Sequence, residues 1–129
     1  MPLTIRMSRG ADAATKARLT VELAGSLDTA TAPDLEKQLM PLLTPEVKHV
    51  VFDLAKLTFI SSAGLRILGA TRKKAREAGG QVSVLNAQPQ IQAVFEVIKA
   101  LPGMSIFSST AELDQYLAAR QKAALEKDQ

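Results

Sequence analysis

Residues 53–68, DLAKLTFISSAGLRIL, constrain the fold most, because they join an apolar segment to a serine pair that opens a helix. Residues 49–54 (HVVFDL) are a short β-branched and aromatic run, which is typical of a buried strand. We expect a short loop after this strand and a helix that starts at Ser61 and Ser62. A hydroxyl at a helix N-cap accepts a backbone N–H, and the helix dipole adds positive charge. An anion attached to such a serine would therefore be tolerated locally.

The predicted helix after the serine pair has two different faces. At about 100° per residue, small and apolar side chains fall on one side and form a core stripe. Ser62, Arg66, Gly69 and Lys73 fall on the opposite side, and we call these four residues the ridge. The pattern predicts an exposed ridge with two cations and a bare glycine, where another surface can approach closely. The core stripe comprises Gly64, Ile67, Leu68, Thr71, Ala75 and Ala78.

Length and composition exclude several classes of protein. At 129 residues the chain is long enough for one domain with its own core, and the absence of cysteine excludes thiol catalysis, disulfides and cysteine-ligated metals. The net charge of +3 is modest, and one tyrosine with no tryptophan leaves little for base stacking, so we expect no nucleic acid partner. Without a signal peptide or a long apolar span, we expect a cytoplasmic protein that does not insert into membranes.

The sequence offers no catalytic or metal-ligating set. His49 is the only histidine, and it has no serine, aspartate or metal-ligand partners at a recognisable spacing. An ordinary histidine at the edge of a strand is the better interpretation. We therefore expect no enzyme activity, no metal and no cofactor, and any chemistry is done to this protein rather than by it.

The order of elements predicts an α/β fold in a single domain, residues 1–121, with a frayed charged tail at 122–129. Alternating apolar residues near the N-terminus predict an antiparallel hairpin, which is followed by alternating helices and strands. Right-handed crossovers then give a mixed sheet of four to five strands covered by about four helices. The fifth strand is the short apolar run at residues 104–107. We expect a monomer, because these apolar stripes are used in covering one sheet.

Two loops carry further candidate residues. Thr31 and Asp34 have the spacing of a capping box at the first helix. Asp28 and Thr29, just before it, suit either turn chemistry alone or partner contact. Asp53, at the expected carboxyl end of its strand, is predicted to accept hydrogen bonds from the following loop and to hold the serine junction.

The stretch VVFDLAKLTFISSAGLRIL, with GSLDTATAPDLEKQL upstream and AREAGGQVSVLNAQPQIQAVFEV downstream, resembles the STAS domains of bacterial anti-sigma factor antagonists. Aligning on Gly64 and Leu65 places the family's phosphorylated serine at Ser62, with Ser61 as second choice. Two positions depart from the family pattern. Ser26 replaces a glutamate, and Ser61 replaces the aspartate that precedes the phosphorylated serine.

The resemblance implies a partner switch. The unphosphorylated domain binds an anti-sigma factor that is also a serine kinase, phosphorylation releases it, and a metal-dependent serine phosphatase resets the domain. Gly64 and Asp53 support the site. An open alternative is a STAS-like docking subunit of another assembly, a transport complex or a stress-signalling scaffold, which phosphorylation does not switch. The predicted partner-binding residues are Asp28, Thr29, Ser61, Ser62, Arg66, Gly69 and Lys73.

Overall fold

One mixed sheet organises the computed structural model, which describes residues 2–10, 17–100 and 109–127. The strands are β1 (Leu3–Arg9), β2 (Arg18–Leu27), β3 (His49–Ile60) and β4 (Gln81–Leu85). The helices are α1 (Ala32–Leu39), α2 (Ser62–Glu77), α3 (Pro89–Ala100) and α4 (Thr110–Lys127), with a 3-10 turn at Met40–Leu42.

The strands lie in the order β1-β2-β3-β4, with an antiparallel β1–β2 pair and parallel β2–β3 and β3–β4 pairs. The predicted hairpin and parallel crossovers are therefore confirmed, as is the α/β class with four helices in the described part of the chain. The fifth strand predicted at residues 104–107 lies outside the described residues.

The core lies on one face of the sheet. Val50, Phe52 and Leu54 alternate along β3 and are fully buried, and Leu35 and Val94 from the helices pack into the same cluster. The opposite face carries exposed charged side chains such as Arg6 and Glu22, which form an ion pair at 3.9 Å. The helices therefore cover one side of the sheet, and the carboxyl end of β3 delivers the chain directly to α2.

β3 is longer than the sequence predicts. The strand runs without a loop to Ile60, because its register with β2 shifts between Glu22 and Ala24. This bulge breaks the inward alternation after Leu54, so that Leu57 and Ile60 are the next buried residues. The loop expected before the serine pair is wrong, since that segment continues the strand.

Helix α4 also extends further than predicted. It is helical to Lys127 and so includes most of the segment predicted as a frayed tail from residue 122. Alanine, leucine, lysine and glutamate dominate this segment, and all four are strong helix formers. Leu113 and Leu117 of α4 are buried, whereas Tyr116 is 40% exposed.

Candidate functional site

The junction between β3 and α2 places the two serines in different roles. Ser61 is the N-cap of α2: its backbone is extended (φ −102°, ψ 176°), and its Oγ accepts a hydrogen bond from Gly64 N at 3.4 Å. Its own N–H donates to Leu27 O at 2.9 Å and ties the junction to β2. Ser62 is the first residue of the helix. Of the two serines expected at the start of the helix, Ser61 is therefore the cap.

Ser62 lies at the start of α2 and is held by a carboxylate from α4. Its backbone N–H donates to Asp114 Oδ1 at 2.8 Å, and its Oγ donates to Asp114 Oδ2 at 3.0 Å. The residue is only 8% exposed, and Ser61 is 5% exposed. The prediction that the ridge begins with an exposed hydroxyl is therefore wrong, because α4 covers it.

A second polar side chain of α4 fastens the same junction. The Gln121 amide accepts from Ile60 N at 3.0 Å and donates to Ile60 O at 2.8 Å. Both backbone groups at the end of β3 are thus satisfied by one buried side chain, as buried backbone polar groups require. Asp114, Leu117 and Gln121 share one face of α4 at spacings of three and four residues. Their spacing was visible in the sequence, but their partners were not.

The remainder of the ridge is exposed. Arg66, Gly69 and Lys73 point to solvent, and a Cβ added at Gly69 meets no heavy atom within 4 Å. Ile67, Leu68, Thr71 and Ala75 of the predicted core stripe are buried, whereas Ala78 is half-buried just after the helix. The two faces of α2 were therefore assigned correctly except at Ser62.

Two surface cavities meet at Arg66. One is a cleft of about 220 Å³ between α1 and α2, where Thr29 and Arg66 lie together. The other is a groove of about 490 Å³ beside α2, whose lining includes Ser62, Arg66 and Gly69 together with Phe95 from α3. The structure thus brings Thr29, Arg66, Gly69 and the edge of Ser62 onto one continuous surface, with Lys73 one turn beyond Gly69.

Asp28 organises the turn before α1. Its Oδ1 accepts from Ala30 N at 2.9 Å and Thr31 N at 3.0 Å, while its Oδ2 accepts from Ser26 Oγ at 3.1 Å. Partial burial works to raise the pKa of Asp28, but the hydrogen bonds from Thr31, Ser26 and Ala30 outweigh it and lower the pKa below 3.8. Asp28 is therefore a turn residue in this structure, and Ser26 supports it.

The capping box predicted at α1 is wrong. Thr31 is the N-cap, but its side chain makes no cap hydrogen bond. Its Oγ1 instead donates to Ser26 O at 2.8 Å and accepts from Asp28 N at 2.9 Å. The hydroxyl therefore stabilises the turn before the helix, while Asp34 N donates to the Thr31 carbonyl.

Asp53 does not support the serine junction. It lies within β3, where its Oδ1 accepts from Ala55 N at 3.1 Å and from Asn86 Nδ2 at 3.3 Å. These contacts stabilise the β3 bulge and the residue that follows β4. Ser62 lies further along the chain, beyond the end of β3 at Ile60. The sequence prediction places Asp53 at the carboxyl end of its strand, whereas β3 continues to Ile60.

Gly64 lies where α2 packs closely against β2 and β3. A Cβ at this position would lie 2.6 Å from Leu27 Cγ and 3.0 Å from Ile60 Cγ1, both in fully buried residues. Only a glycine lets α2 approach β2 and β3 this closely.

The exposed surface of α2 is basic. Within the described residues, none of its arginines and lysines forms an ion pair with a carboxylate within 4.0 Å. In that same part of the chain, no group of three or more metal-ligating side chains is found, and no helix is long and apolar enough to cross a membrane. The cations are Arg66, Arg72, Lys73, Lys74 and Arg76.

Comparison with known proteins agrees with the fold. The sequence model of the STAS domain matches residues 10–113. BtrV of Bordetella bronchiseptica, a protein named as an anti-sigma factor antagonist, is 35% identical over 103 residues, which cover 80% of this chain and 85% of BtrV.

Solved structures show the same architecture. The Bacillus anti-sigma factor antagonist SpoIIAA in its unphosphorylated form superposes with a TM-score of 0.61 at 16% identity, covering 72% of this chain and 82% of SpoIIAA. An anti-sigma factor antagonist from Mycobacterium paratuberculosis gives a TM-score of 0.58 at 25% identity, covering 78% and 83% of the two chains. The chain therefore belongs to the STAS domain family and, within it, to the anti-sigma factor antagonists.

Proposed function

We propose that this chain is a partner switch controlled by phosphorylation of Ser62. Unphosphorylated, it binds an anti-sigma factor that is also a serine kinase, and thereby frees a sigma factor. The kinase then phosphorylates Ser62 and dissociates, and a metal-dependent serine phosphatase restores the binding form. The observation that carries the proposal is the position of Ser62: it is the first residue of α2 and borders the exposed surface formed by Arg66, Gly69 and Thr29.

The proposal divides the chemistry between two proteins. The kinase supplies ATP and the groups that transfer phosphate, whereas this chain supplies only a hydroxyl and a docking surface. It therefore needs no cofactor or catalytic set of its own. The exchange takes place in the cytoplasm, where ATP is available to the kinase.

Electrostatics supports release upon phosphorylation. A phosphate on Ser62 adds about −1.5 to −2 charges, which the N-terminus of α2 tolerates within the domain. In a closed interface the same group is crowded and poorly solvated. A penalty of about 3 kcal/mol is enough to weaken binding by a hundredfold.

The basic surface of α2 indicates the chemistry of the partner. Its cations have no carboxylate partners among the described residues, so a complementary docking surface would be acidic. Binding through Arg66 and Lys73 should then weaken as the salt concentration is raised. Salt screens the attraction between exposed charges, with a screening length of about 10 Å at 0.1 M ionic strength.

One observation favours the alternative of an unswitched docking subunit. Ser62 is 8% exposed and hydrogen-bonded to Asp114, so its hydroxyl is covered in this conformation. A permanent subunit of a transport complex or a stress-signalling scaffold would use the same α2 surface without modification.

Isolation of the complex distinguishes the two functions. The full chain is purified with its partner, and ATP is added with Mg²⁺. A switch predicts that the complex dissociates and that Ser62→Ala remains bound under the same conditions. A complex that is indifferent to ATP, with no phosphate on either form, supports the unswitched docking subunit.

A further inference from the structure

Asp114 occupies the position at the N-terminus of α2 that a phosphate on Ser62 would need. Its carboxylate receives both the N–H and the Oγ of Ser62, at 2.8 and 3.0 Å. A phosphate attached to the same Oγ would place a second negative group against this carboxylate. Like charges in contact repel, so both cannot occupy the helix terminus.

The same contact with Asp114 keeps the Ser62 hydroxyl inaccessible to a kinase. Phosphoryl transfer requires the acceptor oxygen to lie within about 3.5 Å of the phosphorus and in line with the leaving group. Ser62 is 8% exposed, and its hydroxyl proton is directed at Asp114 rather than outwards. The start of α4 must therefore move before Ser62 can enter an active site.

Three contacts hold α4 over the junction. Leu113 and Leu117 are buried in the core cluster, and the Gln121 amide binds both backbone groups of Ile60. The match to the STAS family model ends at residue 113, so Asp114 and Gln121 lie beyond it. Helix α4 therefore begins within the match, and the two polar side chains that contact the junction follow it.

We propose that α4 is an intramolecular clasp that competes with phosphate for the N-terminus of α2. The proposal deepens the switch proposed above and rests on Ser62 as its acceptor. Release of Asp114 exposes Ser62, and phosphorylation prevents Asp114 from returning. Any contact that strengthens the clasp disfavours the phosphorylated form, and phosphorylation weakens the clasp by the same free energy.

The transfer itself balances without Asp114. Ser62 Oγ forms a bond to the γ-phosphorus of ATP, the bond to the bridging oxygen breaks, and ADP leaves. The hydroxyl proton passes to a base of the kinase. Arg66, one turn along α2 and on the same groove, is the cation nearest in sequence that can receive the phosphate after Asp114 has left.

Hydrogen exchange tests the clasp without any kinase. The full chain is made with phosphoserine at position 62, and exchange of the α4 amides is followed by mass spectrometry in phosphorylated and unmodified forms. The clasp predicts at least tenfold faster exchange in α4 upon phosphorylation. In an Asp114→Asn background the phosphate should have much less effect, because the repulsion is removed. Equal α4 exchange with and without phosphate in the natural chain would overturn the proposal.

Kinase assays test the gating of Ser62. Asp114→Ala should be phosphorylated at least fivefold faster than the natural chain, whereas Gln115→Ala, an exposed neighbour on α4, should keep the natural rate. An Asp114→Ala rate equal to or below that of Gln115→Ala contradicts the clasp and leaves the switch intact. If no form accepts phosphate, the switch itself is wrong, and the exchange experiment still decides whether Asp114 and phosphate compete.

Discussion

Gly64 and Gly69 lie in the same helix, but only one of them is closed to a side chain. At Gly64 an added Cβ lies 2.6 Å from Leu27 Cγ, whereas at Gly69 it meets nothing within 4 Å. We predict that Gly64→Ala lowers the free energy of unfolding by about 1 to 3 kcal/mol through overpacking. Gly69→Ala should raise it by about 0.5 kcal/mol, because alanine restricts the unfolded chain. Urea denaturation of both variants measures the pair, and a neutral Gly64→Ala would mean that α2 sits further from β2.

The turn around Asp28 makes stability depend on pH. Hydrogen bonds lower the folded-state pKa of Asp28 below 3.8, so its contribution is present above about 3.8 and is lost as pH falls through the lower folded value. We predict that Asp28→Ala is less stable than the natural chain at pH 7, and that the difference shrinks as the pH falls further below 3.8. Denaturation at several pH values measures this. A difference that persists unchanged at low pH would show that the ionised carboxylate is not what stabilises the turn.

Single residues also show the limits of sequence patterns. The spacing of Gly64 within a core stripe predicts close packing, because helical periodicity is a local property. The pairing of Ser62 with Asp114 joins residues 52 positions apart, and no local period reports which side chain covers a helix end. Asp53 was expected at the end of its strand, but β3 continues to Ile60 past the point where the alternation of buried residues breaks.

At the scale of elements, the strands and helices were predicted from period and caps, but the end of β3 was not. The bulge in β3 interrupts the alternation that defines a strand, although the backbone remains paired with β2. The sequence predicts a frayed charged tail where the last turns of α4 lie, although the residues of this segment are good helix formers. Boundaries thus depend on partners that a local pattern does not include.

The exposed face of α2 predicts opposite effects of one substitution. Gly69→Gln adds a good helix former in open space, so the melting temperature should stay the same or rise. The same side chain enters the proposed docking surface and should weaken binding to the anti-sigma factor kinase at least tenfold, or about 1.4 kcal/mol.

Thermal unfolding and calorimetric titration of Gly69→Gln measure the two effects together. Ala70→Gln is a matched control, since Ala70 is also exposed on α2 but lies about 100° around the helix from Gly69. Unchanged affinity for Gly69→Gln, or an equal loss for Ala70→Gln, would mean that the ridge is not the docking surface.

For the whole molecule, we predict a monomer at micromolar concentration. The apolar stripes of the helices are buried against one face of the sheet, and the large exposed apolar side chains of β4 are limited to Val84 and Leu85 within the described chain. Light scattering of the purified chain measures the mass. A stable dimer would mean that an apolar stripe has been assigned to the wrong side.

In the whole molecule, a basic and exposed surface of α2 lies next to the proposed acceptor serine, which α4 covers. The order of elements predicted the sheet, and the resemblance directed attention to the serine pair. The covering of that pair depends on how α4 docks, which becomes visible only when residues distant in sequence are placed together.

Mapping the phosphate tests directly whether Ser62 is the residue that the kinase modifies. The chain is incubated with its anti-sigma factor kinase and ATP, and the modified residue is identified by mass spectrometry. We predict one phosphate on Ser62, which is lost in Ser62→Ala with a stability cost of about 1 to 3 kcal/mol for the missing hydrogen bond to Asp114. A phosphate on Ser61, Thr29 or Thr31, or on the Ser62→Ala chain, would contradict it.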